Sequence, residues 1–183
     1  EVLHRAGKMG LGSAYILGFK HCLAQDVDAV IQMDADFSHP VEKIAKLAQL
    51  IKTCDIAIGS RYVPGGKLDE CWPFWRKALS GFGNYYARSI LNTPVRDMTG
   101  GFRIWRRQTL AAMPLDGIRS NGYVFQVETI YIAHRLGFTI KETPIYFADR
   151  RWGKSKMSFR IQVEAAFRTW KLLSMYRHLT SLK

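Results

Sequence analysis

Cysteine is scarce. Only Cys22, Cys54 and Cys71 occur, and they form no CxxC pair, so neither a disulfide framework nor a zinc site is indicated and a reducing compartment is the simpler reading. Long apolar runs are missing too. No stretch approaches the ~20 residues needed to cross a bilayer, and the first residues carry no signal-peptide pattern, so the chain reads as soluble or peripheral. Acidic residues are few: 15 Asp and Glu stand against 27 Lys and Arg, a formal net charge of +12. Such an excess suits polyanions, whether nucleic acid, an anionic membrane surface or phosphorylated small molecules. Repeats and low-complexity segments are absent.

What remains is 183 residues, 48% hydrophobic, enough for one globular domain with a real core. The chain opens "EVLHRAGKMGLG", without an initiator Met and with a glycine cluster almost at once, which reads as a truncated start. Residues 12–24 pattern as a helix, and Asp28 to Met33 is short, apolar and β-branched enough for a buried strand. Ser38 and Pro40 cap and start a helix running to Gln49 or Ile51, and "DIAIGS", Asp55 to Ser60, is the next strand. This alternation predicts an α/β fold with a mainly parallel sheet, whose functional groups gather at the carboxyl ends of the strands. Asp34, Asp36 and Arg61 fall there. Further on, helices are expected over residues 74–91, 124–136 and 158–178, with strands near residues 102–105 and 139–147.

Asp34 and Asp36 are two apart, so on a continuing strand both carboxylates point to one face and can share a hard cation. A turn and helix cap is the plainer use of a bare DxD. Arg76 lies four residues before Ser80, a helical spacing that lets both grip one anion. "DMTGGFR", Asp97 to Arg103, pairs two glycines that allow close backbone approach to a ligand or simply form a turn. Gln126 and Glu128 stand near a helix start with their roles open, and His39, beside Pro40, reads as structural or capping. In the last helix Phe159, Val163, Phe167, Trp170, Leu173 and Met175 or Tyr176 follow helical spacing, with Arg160, Arg168 and Lys171 on other faces. An aromatic, basic helix suits an anionic membrane interface, and packing on the sheet suits it equally.

Taken together, "KMGLGSAYILGF", "MDADFSHP", "GSRYVPGG", "RKALSGFGNYYAR", "DMTGGFR", "GYVFQVE" and "FADRRWGKSKMS" resemble the polyprenol-phosphate mannosyltransferases, or dolichyl-phosphate mannose synthases, of the inverting glycosyltransferase family 2. The resemblance runs over nearly the whole chain. It implies a GT-A fold, a GDP-mannose donor, Mg²⁺ or Mn²⁺, and a polyprenyl or dolichyl phosphate acceptor. On it Asp34 and Asp36 hold the metal, Ala35 lines the nucleotide-sugar site, and Ser38 stands where some relatives use Gln as a further ligand. Arg61, Arg150 and Lys156 match donor-contacting positions, with Asp36, Arg61 and Arg150 counted as catalytic. Arg76 and Ser80 match an acceptor-phosphate clamp. The resemblance further implies one catalytic domain over residues 1–183 that lacks the family's N-terminal nucleotide-binding segment. It also implies a membrane-interface helix at 158–178 and a peripheral place on the cytoplasmic face of a membrane, where a separate subunit can anchor the enzyme. A family 2 transferase with a UDP-glucose type donor is the alternative. A nucleic-acid-binding module explains the charge but neither the DxD nor the lack of a binding motif, so no nucleic acid partner is expected.

Overall fold

The structure is a computed structural model that describes residues 1–149 and 159–181, with side chains in the second segment from residue 164 onward. Among the described residues the elements in chain order are α1 (Leu11–Leu23), β1 (Ala29–Gln32), α2 (Ile44–Leu50), β2 (Ile56–Ser60), β3 (Lys67–Leu68), α3 (Phe74–Leu91), β4 (Arg103–Arg106), α4 (Arg107–Ala112), α5 (Val124–Arg135), β5 (Ile140–Pro144), β6 (Tyr146–Phe147) and α6 (Phe159–Met175). Short 3-10 turns extend α2 at both ends, Val41–Lys43 and Ile51–Thr53.

The main sheet has the order β1-β4-β2-β5, and a two-stranded parallel sheet, β3-β6, lies beside it. Strands β1, β2 and β5 share one direction; β4 runs antiparallel between β1 and β2. The sheet is therefore mainly parallel in direction, as the alternation predicts, with one reversed strand in the middle. That reversal has a functional result. The start of β4 lies at the same edge as the carboxyl ends of β1 and β2, because Arg103 is in register with both Gln32 and Ile58.

Strand β2 is buried at every position, and its side chains alternate between two cores. Ile56 and Ile58 join Phe19, Trp105, Phe125 and Ile130 on one face, under α1, α3, α5 and α6. Ala57 joins Leu47, Phe102, Ile104 and Ile145 on the other, under α2. Both faces of the sheet therefore carry helices.

One feature differs from the sequence expectations, and a second resolves an alternative they left open. The strand anticipated over residues 139–147 is split at Ile145, whose N–H is drawn to the Ser60 carbonyl at 3.0 Å. Helix α6 and the turn after it pack on the core through Leu172, Leu173, Met175 and Tyr176, while Phe167 and Trp170 of the same stripe are 74% and 57% exposed.

The fully buried Glu128 on α5 is structural. Its carboxylate accepts the N–H groups of Arg119 (3.1 Å) and Ser120 (2.8 Å) and the hydroxyl of Tyr176 on the turn after α6. The loop it holds receives the start of α1: Leu11 N–H donates to the Asn121 carbonyl at 2.8 Å, and a Cβ on Gly12 would lie 2.2 Å from the Ser120 carbonyl oxygen. Only glycine allows that approach.

Candidate active site

The site is built at the strand edge just described. Past the end of β1 the chain turns sharply: Phe37 adopts φ +62°, a left-handed conformation that costs a non-glycine residue roughly 1–2 kcal/mol. The turn is held by Asp36, whose Oδ1 accepts the Ser38 N–H at 3.1 Å and the Ser38 hydroxyl at 2.5 Å. Ser38 is buried beneath this carboxylate, so it orients Asp36 from below and does not face outward as a ligand. Asp34 is oriented from the opposite side by Tyr15 on α1, whose hydroxyl donates to Oδ1 at 2.7 Å. Burial first, and then the Asp34 charge, push the Tyr15 phenol up and keep it a donor. Ala35 lies between the two carboxylates and is exposed.

His39 is buried next to them, its Nε2 3.7 Å from Asp34 Oδ2. Neither ring nitrogen has a hydrogen-bond partner among the described residues. The ring stacks on Phe102 (5.1 Å) and meets Phe147 edge-on (5.4 Å). Across from Asp34, a Cβ on Gly101 would sit 3.6 Å from Asp34 Oδ2 and 3.5 Å from Gln126 Nε2. Gln126 is fixed by a chain of buried bonds, Trp105 Nε1 to Gln32 Oε1 (3.0 Å) and Gln32 Nε2 to Gln126 Oε1 (2.8 Å), which aims its amide nitrogen at the site.

Among the described residues no three His, Cys, Asp or Glu side chains converge closely enough to hold a metal ion. Two oriented carboxylates fit a hard cation that Asp34 and Asp36 would hold, its other ligands being left to water and substrate, as is usual for Mg²⁺. Carboxylate oxygen also suits Mn²⁺.

The basic half of the site follows β2. Arg61 is turned inward, its side chain 9% exposed, onto the wholly buried Asp97. Its Nε reaches Asp97 Oδ2 (2.8 Å) and its Nη2 reaches Oδ1 (2.7 Å) and Thr99 Oγ1 (2.7 Å). Asp97 also accepts the N–H groups of Arg61 and Gly100, each at 2.9 Å. Burial alone would raise the Asp97 carboxyl; the Arg61 charge and these bonds overcome it and hold it below the usual range. Arg61 is thus charge-matched within the fold, and the structure gives it first a bracing task between the 97–101 turn and the aromatic wall, with Phe147 5.2 Å away.

Phe147 joins the two halves, since it also packs edge-on against Trp72 at 5.8 Å. Arg76, in the first turn of α3, lies 3.6 Å over the Trp72 ring and donates to Asp149 Oδ1 at 3.3 Å. One turn on, Ser80 Oγ accepts the Tyr62 hydroxyl at 2.6 Å. The two clamp candidates therefore share a helix but have different protein partners. Arg150 and Lys156 lie outside the described residues.

Sequence reasoning passed over Asp97, Tyr15 and Phe147. Asp97 did carry a signal: it is the lone acid between Arg88 and Arg107. Tyr15 and Phe147 lie within the quoted stretches "KMGLGSAYILGF" and "FADRRWGKSKMS", but as lone aromatics they carried no signal of their own.

An α/β domain with a strand-end DxD and an inward arginine is the frame of a GT-A nucleotide-sugar enzyme, and the comparisons agree. The "Glycosyl transferase family 2" model matches residues 1–113; the chain belongs to that family. Within it, the chain is 44% identical over 181 residues to the undecaprenyl-phosphate mannosyltransferase of Micrococcus luteus, covering 98% of this chain and 74% of that one. It is 41% identical to the polyprenol monophosphomannose synthase of Mycolicibacterium smegmatis, covering 92% of this chain and 63% of that one. Among solved structures, glucosyl-3-phosphoglycerate synthase from Mycobacterium tuberculosis with Mn²⁺, UDP and phosphoglyceric acid aligns with TM-score 0.59 at 15% identity, over 95% of this chain and 55% of that one. That likeness carries the fold alone.

Proposed function

We propose that the protein carrying this chain transfers mannose from GDP-mannose to a polyprenyl or dolichyl phosphate, with inversion at the anomeric carbon. The observation that carries the reading is the 44% identity to a polyprenyl-phosphate mannosyltransferase over 98% of the chain, which takes in every element lining the site. An ionised acceptor phosphate oxygen attacks C1 of mannose from one face while the bond from C1 to the GDP oxygen breaks on the other. The acceptor has no proton to lose, so no general base is required. The difficulty is electrostatic: at an effective dielectric of ~20, two unit charges ~4 Å apart repel by ~4 kcal/mol.

Side chains on both halves of the site answer that repulsion. Asp34 and Asp36, held by Tyr15 and Ser38, would carry Mg²⁺ or Mn²⁺, which when bound neutralises charge on the donor diphosphate. Arg76 and Ser80 receive the acceptor phosphate, with Trp72 and Phe147 as an apolar wall that strengthens the charge interactions. Arg61, braced by Asp97, sets the shape of the site. Arg150 and Lys156 would supply further cations to the donor.

A lipid acceptor asks for a membrane surface. Among the described residues no helix is long and apolar enough to cross a membrane. Instead α3 exposes Phe74, Trp75, Phe82 and Tyr85, and α6 exposes Phe167 and Trp170. Trp170 Nε1 donates to the Tyr86 hydroxyl at 2.8 Å, so the two aromatic faces adjoin and can lie together at a cytoplasmic membrane interface. A membrane-anchoring subunit is compatible with this placement.

Labelled GDP-mannose and labelled UDP-glucose, each offered with undecaprenyl phosphate, test the reading. Mannose from GDP-mannose is expected in the organic phase. Label entering lipid from UDP-glucose alone would overturn the donor assignment, and none from either would overturn the reaction.

A further inference from the structure

Beside the clamp lies a pocket of about 150 Å³ lined by Tyr62, Gly81, Asn84, Tyr85, Arg88 and Arg96, room for roughly five water volumes or one phosphate group. Gly81, Asn84, Tyr85 and Arg88 follow one another at helical spacing, so they form one face of α3. The floor is rigid. Asn84 Nδ2 donates to the Ser80 carbonyl (2.9 Å) and Thr99 Oγ1 (3.1 Å), while Asn84 Oδ1 accepts the Thr99 N–H (3.1 Å). The Tyr62 hydroxyl is committed to Ser80. Arg96 is fixed through its backbone, its N–H donating to Glu142 Oε2 at 2.7 Å.

None of the six lining residues is acidic, and two are arginines. Neither guanidinium makes a hydrogen bond or ion pair to another described residue, in contrast to Arg61, Arg76, Arg103 and Arg106, whose guanidinium groups all have acceptors. Two unmatched planar donors over a fixed polar floor are suited to a tetrahedral anion. Tyr85 itself lines the pocket, and it and Phe82, three residues before it on α3, are exposed aromatics. An anion bound there would have its ester substituent beside an apolar surface.

We propose that Arg88 and Arg96 form a phosphate-binding pocket that takes the headgroup of an anionic membrane phospholipid and so fixes the rotational setting of α3 on the bilayer. This deepens the membrane reading above, and it is separable from the transfer reaction.

The test is flotation of the full chain with vesicles of phosphatidylcholine alone and of phosphatidylcholine with phosphatidylglycerol. Arg88→Gln/Arg96→Gln should weaken partition onto the mixed vesicles roughly 30-fold, while Lys46→Gln/Lys52→Gln, on α2 and the 3-10 turn after it, leaves most of it. Equal losses in the two double variants would mean a general surface field and overturn the pocket. Glycerol 1-phosphate and inorganic phosphate, titrated while the Arg88 and Arg96 side-chain resonances are followed, separate the sources. Weak shifts that vesicles far exceed support a lipid headgroup; saturation by free phosphate without vesicle dependence overturns the lipid assignment. Transfer to a detergent-dispersed acceptor should persist in Arg88→Gln/Arg96→Gln. Its loss there would instead assign the pocket to the acceptor clamp.

Discussion

Asp97→Asn removes one charge and changes almost no volume. In the structure Asp97 accepts four hydrogen bonds, from Arg61 N–H, Nε and Nη2 and from Gly100 N–H. An asparagine keeps one acceptor oxygen, sets its NH₂ against one group of donors, and leaves the Arg61 guanidinium at 9% exposure without a counter-charge. Breaking a buried pair from one side costs ~3–5 kcal/mol, so Tm should fall by roughly 6–20 °C for a domain this size. Urea unfolding followed by circular dichroism measures the loss, with the m-value unchanged. The double variant Arg61→Met/Asp97→Leu has no stranded charge and should recover much of it. Acid adds a second readout. Because the folded Asp97 carboxyl lies below its usual range, its contribution is present above the unfolded value of ~3.9 and is lost as pH falls through the folded one. Asp97→Asn should flatten that acid limb. A loss below ~1 kcal/mol, or a double variant no better than the single, would refute the reasoning.

Ser38→Ala deletes the hydroxyl that donates to Asp36 Oδ1; it should cost ~1 kcal/mol of stability and raise the Mn²⁺ concentration for half-maximal turnover by roughly tenfold or more, read from a metal titration. Gly12→Ala puts a methyl group 2.2 Å from the Ser120 carbonyl and should destabilise by ~1–3 kcal/mol. Gly18→Ala, on the same helix with open space around the new Cβ, should stabilise by ~0.5–1 kcal/mol. Thermal melts of the pair check both signs.

Elements marked by local chemistry were readable from the sequence. Helix α3 starts and ends where expected because Pro73 precedes it and Asn92, at φ +47°, closes it in the left-handed conformation. The DxD was placed correctly at a strand end because β1 is a short apolar run followed at once by turn residues. What local pattern does not carry is pairing direction, hence the reversed β4, and distant partnership. Asp97 meets Arg61 across 36 residues and Tyr15 meets Asp34 across 19. Neither partnership has a periodicity to betray it. Helix α6 shows a different limit: its spacing suited a membrane interface and core packing equally, and only the fold divides the stripe, with Phe167 and Trp170 outward and Leu173 and Tyr176 on the core.

On the proposed function Asp34 and Asp36 hold a cation that a diphosphate completes, and Mn²⁺ binding followed by electron paramagnetic resonance tests this most directly. The wild-type chain should bind Mn²⁺ weakly alone and tightly with GDP added, while Asp34→Asn and Asp36→Ala, still folded by circular dichroism, should lose the GDP-linked increase. Undiminished GDP-linked Mn²⁺ binding in both variants would contradict it.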